Sequence, residues 1–199
     1  VKARLKGVAT DAGNPQFSPD GTRLLVTSSS YKIDCWDWQA TQKLLQLDPH
    51  LLDDSAEGDP VSHAFAFLPD GQSFLSSGSN GMVRQWSAAS GELLREFRAH
   101  MGEVRTIKVS RDSERLLTCG GKESVAKLWR LHDQELLVRC TGHREGLNDA
   151  AFSADEQLIA TASHDQTIRV CKLPRAAWPS SQGHFSLLKQ FDGHTASAR

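Results

Sequence analysis

The sequence predicts an all-β protein assembled from repeated antiparallel modules, and three observations carry that prediction. First, a short apolar strand signal, a turn and an aromatic-ended strand recur along the chain. Phe17-Ser-Pro-Asp-Gly21 leads to Trp36, Phe67-Leu-Pro-Asp-Gly71 to Trp86, Val109-Ser-Arg-Asp-Ser113 to Trp129, and Phe152-Ser-Ala-Asp-Glu156 to Cys171. Second, the offsets within a unit are 19, 19, 20 and 19 residues, while the unit start advances by 50, 42 and 43. Such a period means one supersecondary module stacked against copies of itself. Third, no stretch sustains a 3.6-residue apolar period, so almost no helix is expected.

Each element follows from local chemistry. The segments 23–27, 72–76, 115–119 and 157–161 are short, rich in apolar or β-branched residues, and preceded by Asp-Gly, Asp-Ser or Asp-Glu. Each therefore reads as a strand behind a hairpin turn. The next segments, 32–36, 82–86, 125–129 and 167–171, alternate apolar and polar residues only imperfectly, as suits strands covered on both faces. A further strand closes each unit at 43–47, 92–97, 135–139 and 187–191.

Histidines precede these strands at a matching distance: His143 of Gly142-His143 stands 28 residues before Cys171, and His100 of Ala99-His100 stands 29 before Trp129. Gly193-His194 opens a unit that does not continue, and Trp36-Asp37 is the one literal Trp-Asp pair. With four copies in register, the chain resembles the WD-repeat family of β-propellers over essentially its whole length. The resemblance implies blades of four antiparallel strands. Residues 8–47, 61–98, 99–141 and 142–191 are the expected blades, with an acidic inter-blade loop at 48–60 and a long loop at 174–183. Residues 1–7 resemble the last strand of a preceding blade and 192–199 the start of another. About four blades, part of a larger ring of seven or more, are therefore expected.

The family also implies a buried tetrad in which the opening His, a Ser, an Asp and the closing Trp pin two loops together. His143, Ser163 and Asp165 match three positions, with Cys171 in the Trp place. His100 and Trp129 match in the third unit, where Glu123 stands for Asp and Gly121 for Ser. Trp86 and Trp36 are left with fewer partners still. No complete tetrad is expected, so apolar packing should hold the blades. Ser163, Asp165 and His143 also supply the residue types of a catalytic triad, but Ser163 lacks the strained Gly-x-Ser-x-Gly elbow, so a structural role is preferred and no enzyme activity is expected.

Composition excludes further classes. A net charge of −1 with 39% hydrophobic residues describes ordinary globular material and argues against a dedicated nucleic-acid surface. No apolar run approaches membrane-spanning length, no histidine pair has metal-ligand spacing, and no Gly-rich phosphate loop is present. Membrane insertion, metal, cofactor and small-molecule substrate are therefore not expected. Cys35, Cys119, Cys140 and Cys171 lie at strand positions without Cys-x-x-Cys spacing and read as buried reduced thiols of an intracellular protein, cytoplasmic or nuclear.

What remains is binding. The expected function is a scaffold for other proteins within a larger protein or multi-subunit complex. Two alternatives stand beside it: a regulatory propeller of a multidomain signalling enzyme, and a structural subunit of a cytoskeletal, ciliary or RNA-processing assembly. The family's usual docking face would carry Glu103, Arg105, Lys122, Asn148, His164, Ser62 and Ser79. Trp178, between prolines in the 174–183 loop, is a further candidate anchor or a filler beside Cys171.

Overall fold

The turns behind the first strands are built by short side chains. Ser18 Oγ donates to Asp20 Oδ1 at 2.5 Å and accepts the Arg23 N–H at 2.9 Å, which closes a hairpin. Ser153 does the same with Asp155 and Leu158, and Ser110 with Asp112 and Arg115. In the second unit Leu68 replaces the Ser, and Asp70 caps the turn through the Gln72 N–H. The hydroxyl of Ser18 holds the Asp20 carboxyl down to about 2, so this cap stays ionised at neutral pH.

The computed structural model describes residues 15–27, 32–48, 62–173, 183–184 and 186–192. The expectations placed on 1–14, 49–61 and 193–199 lie outside the described residues. The first sheet holds β1 (Gln16–Phe17), β2 (Arg23–Thr27), β3 (Ile33–Asp37) and β4 (Gln42–Leu47). The second holds β5 (Ser62–Phe67), β6 (Ser73–Gly78), β7 (Met82–Ser87) and β8 (Leu93–Arg98). The third runs β9 (Val104–Val109), β10 (Arg115–Gly120), β11 (Ala126–Arg130) and β12 (Leu136–Cys140). The fourth runs β13 (Leu147–Phe152), β14 (Leu158–Ser163), β15 (Ile168–Lys172) and β17 (Ser186–Phe191). Within each sheet the strands neighbour one another in that order and pair antiparallel. No helix occurs among the described residues.

One strand was not expected. β16 (Gly183–His184) pairs parallel with β12, matching Val138 to Gly183 and Arg139 to His184, and so adds a fifth strand to the third sheet. The sequence placed Gly183 in a loop of the fourth unit, because two residues carry no detectable period. The free edge of β12 offers unpaired backbone groups that such a strand satisfies.

The four sheets are propeller blades, packed face to face through shared cores. Leu25, Ile33, Phe65, Phe74 and Trp86 join the first to the second. Leu75, Val83, Ile107, Leu116 and Trp129 join the second to the third, with Phe97 edge-on to Trp129 at 5.1 Å. Leu117, Leu128, Val138, Leu147 and Ile159 join the third to the fourth, together with Cys119, Cys140 and Cys171. Burial on both faces explains the weak alternation of β6, which is buried along its whole length. This stacking brings the loops before β9 and β13 and the turns before β11 and β15 to one end of the blades.

Candidate functional site

At that end a chain of hydrogen bonds runs through the third blade. Trp129 Nε1 donates to Thr118 Oγ1 at 2.9 Å, and Thr118 Oγ1 stands 2.9 Å from His100 Nε2. His100 Nδ1 lies 2.6 Å from Glu123 Oε2, which fixes the Nδ1–H tautomer. Glu123 also accepts the Met101 N–H at 2.6 Å and Lys127 Nζ at 2.9 Å. Burial and the Lys127 charge push the His100 imidazolium down to about 4, while Lys127, the Met101 N–H and His100 overcome burial and hold the Glu123 carboxyl at about 2. At neutral pH the pair is therefore a neutral imidazole donating to a carboxylate.

This network overturns two expectations. A complete tetrad does exist, and its hydroxyl is Thr118 rather than a residue at Gly121. In the fourth blade the correction repeats: His143 Nε2 meets Thr161 Oγ1 at 2.9 Å, not Ser163, and His143 Nδ1 meets Asp165 Oδ2 at 3.0 Å. Ser163, fully buried, directs its hydroxyl at the carbonyls of Glu145 and Gly146. With both nitrogens of His143 occupied and Ser163 facing carbonyls, the triad geometry is absent. The signal that separates these residues is register. Leu116 pairs Trp129 and Ile159 pairs Cys171 across the hairpin, and the hydroxyl lies two residues further along the strand. Ser76 occupies that place in the second blade and accepts the Trp86 indole N–H at 2.8 Å. Val26 occupies it in the first, and Trp36 Nε1 is buried without a partner. Cys171, in the Trp position of the fourth blade, instead meets Cys140 of the third.

Above these networks lies a polar cluster that crosses from the third blade to the fourth. Arg105, on β9, reaches Glu103 Oε1 at 3.1 Å, Asn148 Oδ1 at 2.9 Å and His164 Nε2 at 2.5 Å. Four of the residues expected on one face are thus brought together. Gly121 makes this possible: a Cβ there would lie 2.7 Å from Glu103 Oε2 and 2.8 Å from Arg105 Nε. Gly146 is equally constrained, since its Cβ would lie 1.7 Å from the Gly121 carbonyl oxygen. Lys122 is exposed beside the cluster, with its Cδ lying 3.7 Å from where a Gly102 Cβ would stand. Ser79 sits on the β6–β7 turn, whose Gly81 carbonyl accepts the Ala99 and His100 N–H groups. Ser62 enters through its backbone, opposite Gly78. Trp178 lies outside the described residues. One residue of this face was missed altogether: Met101 is 82% exposed, although Glu123 holds its backbone N–H. An apolar side chain after the tetrad His carries no periodic signal in sequence.

This architecture has a family. The chain belongs to the WD domain, G-beta repeat family, which matches residues 51–87, 91–130 and 134–172. Among curated relatives it is 38% identical to transducin beta-like protein 3 of Bos taurus, over an alignment covering 98% of this chain and 24% of that protein. It is 28% identical to apoptotic protease-activating factor 1 of Rattus norvegicus, across 78% of this chain and 12% of that protein. It is also 28% identical to protein groucho of Drosophila melanogaster, across 58% of this chain and 15% of that protein. The chain thus spans less than a quarter of the length of each of these three relatives. Repeats of this family are interaction scaffolds and generally lack catalytic function. Among the described residues no helix is long and apolar enough to cross a membrane, and no group of three His, Cys, Asp or Glu residues is placed to hold a metal ion.

Proposed function

We propose that this chain is a non-catalytic scaffold that docks a partner protein on the face formed by Met101, Lys122, Glu103, Arg105, Asn148 and His164. The observation that carries the reading is the Arg105 cluster, in which side chains from two blades hold one another in fixed positions beside an exposed methionine. Fixed polar groups around an apolar anchor match the anatomy of a specific protein interface, in which little side-chain entropy remains to be lost. Met101 supplies the flexible apolar contact and Lys122 an exposed charge. A photo-crosslinking residue at position 101 should capture a discrete partner in cells expressing the chain, and Arg105→Ala should abolish the adduct while the melt stays intact. Adducts at the exposed His132 on the opposite end, with none at position 101, would overturn the reading.

A second reading, a regulatory propeller within a multidomain signalling protein, is supported by the match to apoptotic protease-activating factor 1, of which the chain covers 12%. In that case the adduct at position 101 would join the face to another segment of the same polypeptide.

A further inference from the structure

We infer that Cys140 and Cys171 form a peroxide-oxidisable thiol pair that can lock the third blade to the fourth. The inference stands apart from the docking reading and rests on three observations. The two Sγ atoms lie 3.2 Å apart although the residues are 31 positions apart in sequence. They sit on different blades, Cys140 at the end of β12 and Cys171 within β15. Cys171 occupies the place where Trp36, Trp86 and Trp129 stand in the other blades, and the space left by the missing indole brings the two sulfurs together instead of a hydroxyl and a ring.

A disulfide needs about 2.05 Å between sulfurs, so each has to move only about 0.6 Å. Both residues are buried, at 1% and 3% exposure, which excludes a bulky oxidant such as a glutathione disulfide. The contact between the two sulfurs, aided by the Arg169 guanidinium, holds the Cys171 thiol below its ordinary value against burial, while the same contact and burial push Cys140 up. Cys35 and Cys119 are pushed up chiefly by burial. Cys171 is thus the nucleophile and Cys140 the resolving thiol.

Hydrogen peroxide supplies the oxidising equivalents. The Cys171 thiolate attacks one peroxide oxygen, the O–O bond breaks, and hydroxide leaves with the proton that Cys171 gave up, forming water and a sulfenic acid. The Cys140 sulfur then attacks the sulfur of that acid, the S–O bond breaks, and the departing hydroxide takes the Cys140 proton. Two thiols and one peroxide become one disulfide and two waters, with both sulfurs oxidised and peroxide reduced. The bond would fix the blade boundary that also carries the contact between Arg105 and His164.

The test treats the folded full chain with hydrogen peroxide, unfolds it, alkylates the remaining thiols and measures the intact mass. Two alkylations instead of four, a loss of two hydrogens, and a tryptic cross-link between Cys140 and Cys171 are expected. The oxidised chain should melt roughly 5–15 °C higher, because closing the loop removes entropy from the unfolded state, and dithiothreitol should reverse the shift. Cys171→Ala should keep three alkylatable thiols after the same treatment. Four alkylations in the native chain at peroxide levels that oxidise the unfolded chain, or a cross-link through Cys35 or Cys119, would overturn the inference whatever the outcome of the docking experiment.

Discussion

Val26 shows how much one hydroxyl decides. It stands at the register position filled by Ser76, Thr118 and Thr161 in the other blades, and its methyls leave the Trp36 indole N–H buried and unpaired. An orphaned donor of this kind costs about 1–3 kcal/mol. Val26→Thr keeps the shape and offers an acceptor to Trp36. We expect stability to rise by about 0.5–1.5 kcal/mol in urea titration at unchanged m. Thr118→Val should lose about 1–3 kcal/mol, since it strips both Trp129 and His100 of a partner. Sequence reading placed the histidines and tryptophans but chose Gly121 and Ser163 for the hydroxyl, because counting along the chain cannot tell which residue of β10 or β14 faces the ring.

The hairpin turns behave as interchangeable parts with two imperfect copies. Their fourth residue adopts a left-handed backbone, with φ of 68° at Gly21, 67° at Gly71, 61° at Ser113 and 53° at Glu156. An ordinary L-residue there costs about 1–2 kcal/mol, part of which glycine returns as unfolded-state entropy. Ser113→Gly should therefore stabilise the chain by roughly 0.5–1 kcal/mol, read as a higher melting temperature. Glu156→Gly should instead destabilise it, because Glu156 accepts Arg115 Nη2 at 2.6 Å and the Arg111 N–H at 2.8 Å, tying the fourth blade to the third. The Asp-Gly signals were legible as turns from sequence. The second role of Glu156 was not, since its partners lie 41 and 45 residues away.

Across the whole molecule, the buried histidines set how stability depends on acid. His100 and His143 are both held neutral by burial against the pull of Glu123 and Asp165. A histidine lowered from 6.5 to about 4 binds its proton more weakly in the folded chain than in the unfolded one. Its stabilising contribution is complete above pH 6.5 and is lost as pH falls toward 4, on the order of 3 kcal/mol for His100. Glu123, lowered from 4.5 to about 2, extends the loss below pH 4.5, because its contribution needs the carboxylate. Urea midpoints should be level from pH 8 to 7 and fall between pH 6.5 and 4, and His100→Gln should flatten that window. A midpoint independent of pH across it would contradict the buried neutral imidazole.

The sequence by itself determined the repeat, the hairpins, the all-β class and the family. Strand periods, Asp-Gly turns and the spacing from strand to aromatic are local properties, and four copies in register reinforce one another. Loop order, read with the resemblance to the family, also put Glu103, Arg105, Asn148 and His164 on one expected face. Only the tertiary structure decided that Arg105 touches the other three, that Thr118 and Thr161 serve the histidines, that β16 joins the third blade, and that Cys140 meets Cys171. Apart from the ion pair between Arg105 and Glu103, which are neighbours in the chain, each of those contacts crosses a hairpin or a blade boundary. Pairs so far apart in the chain are selected by register and by the shape of the shared core, which no local pattern records.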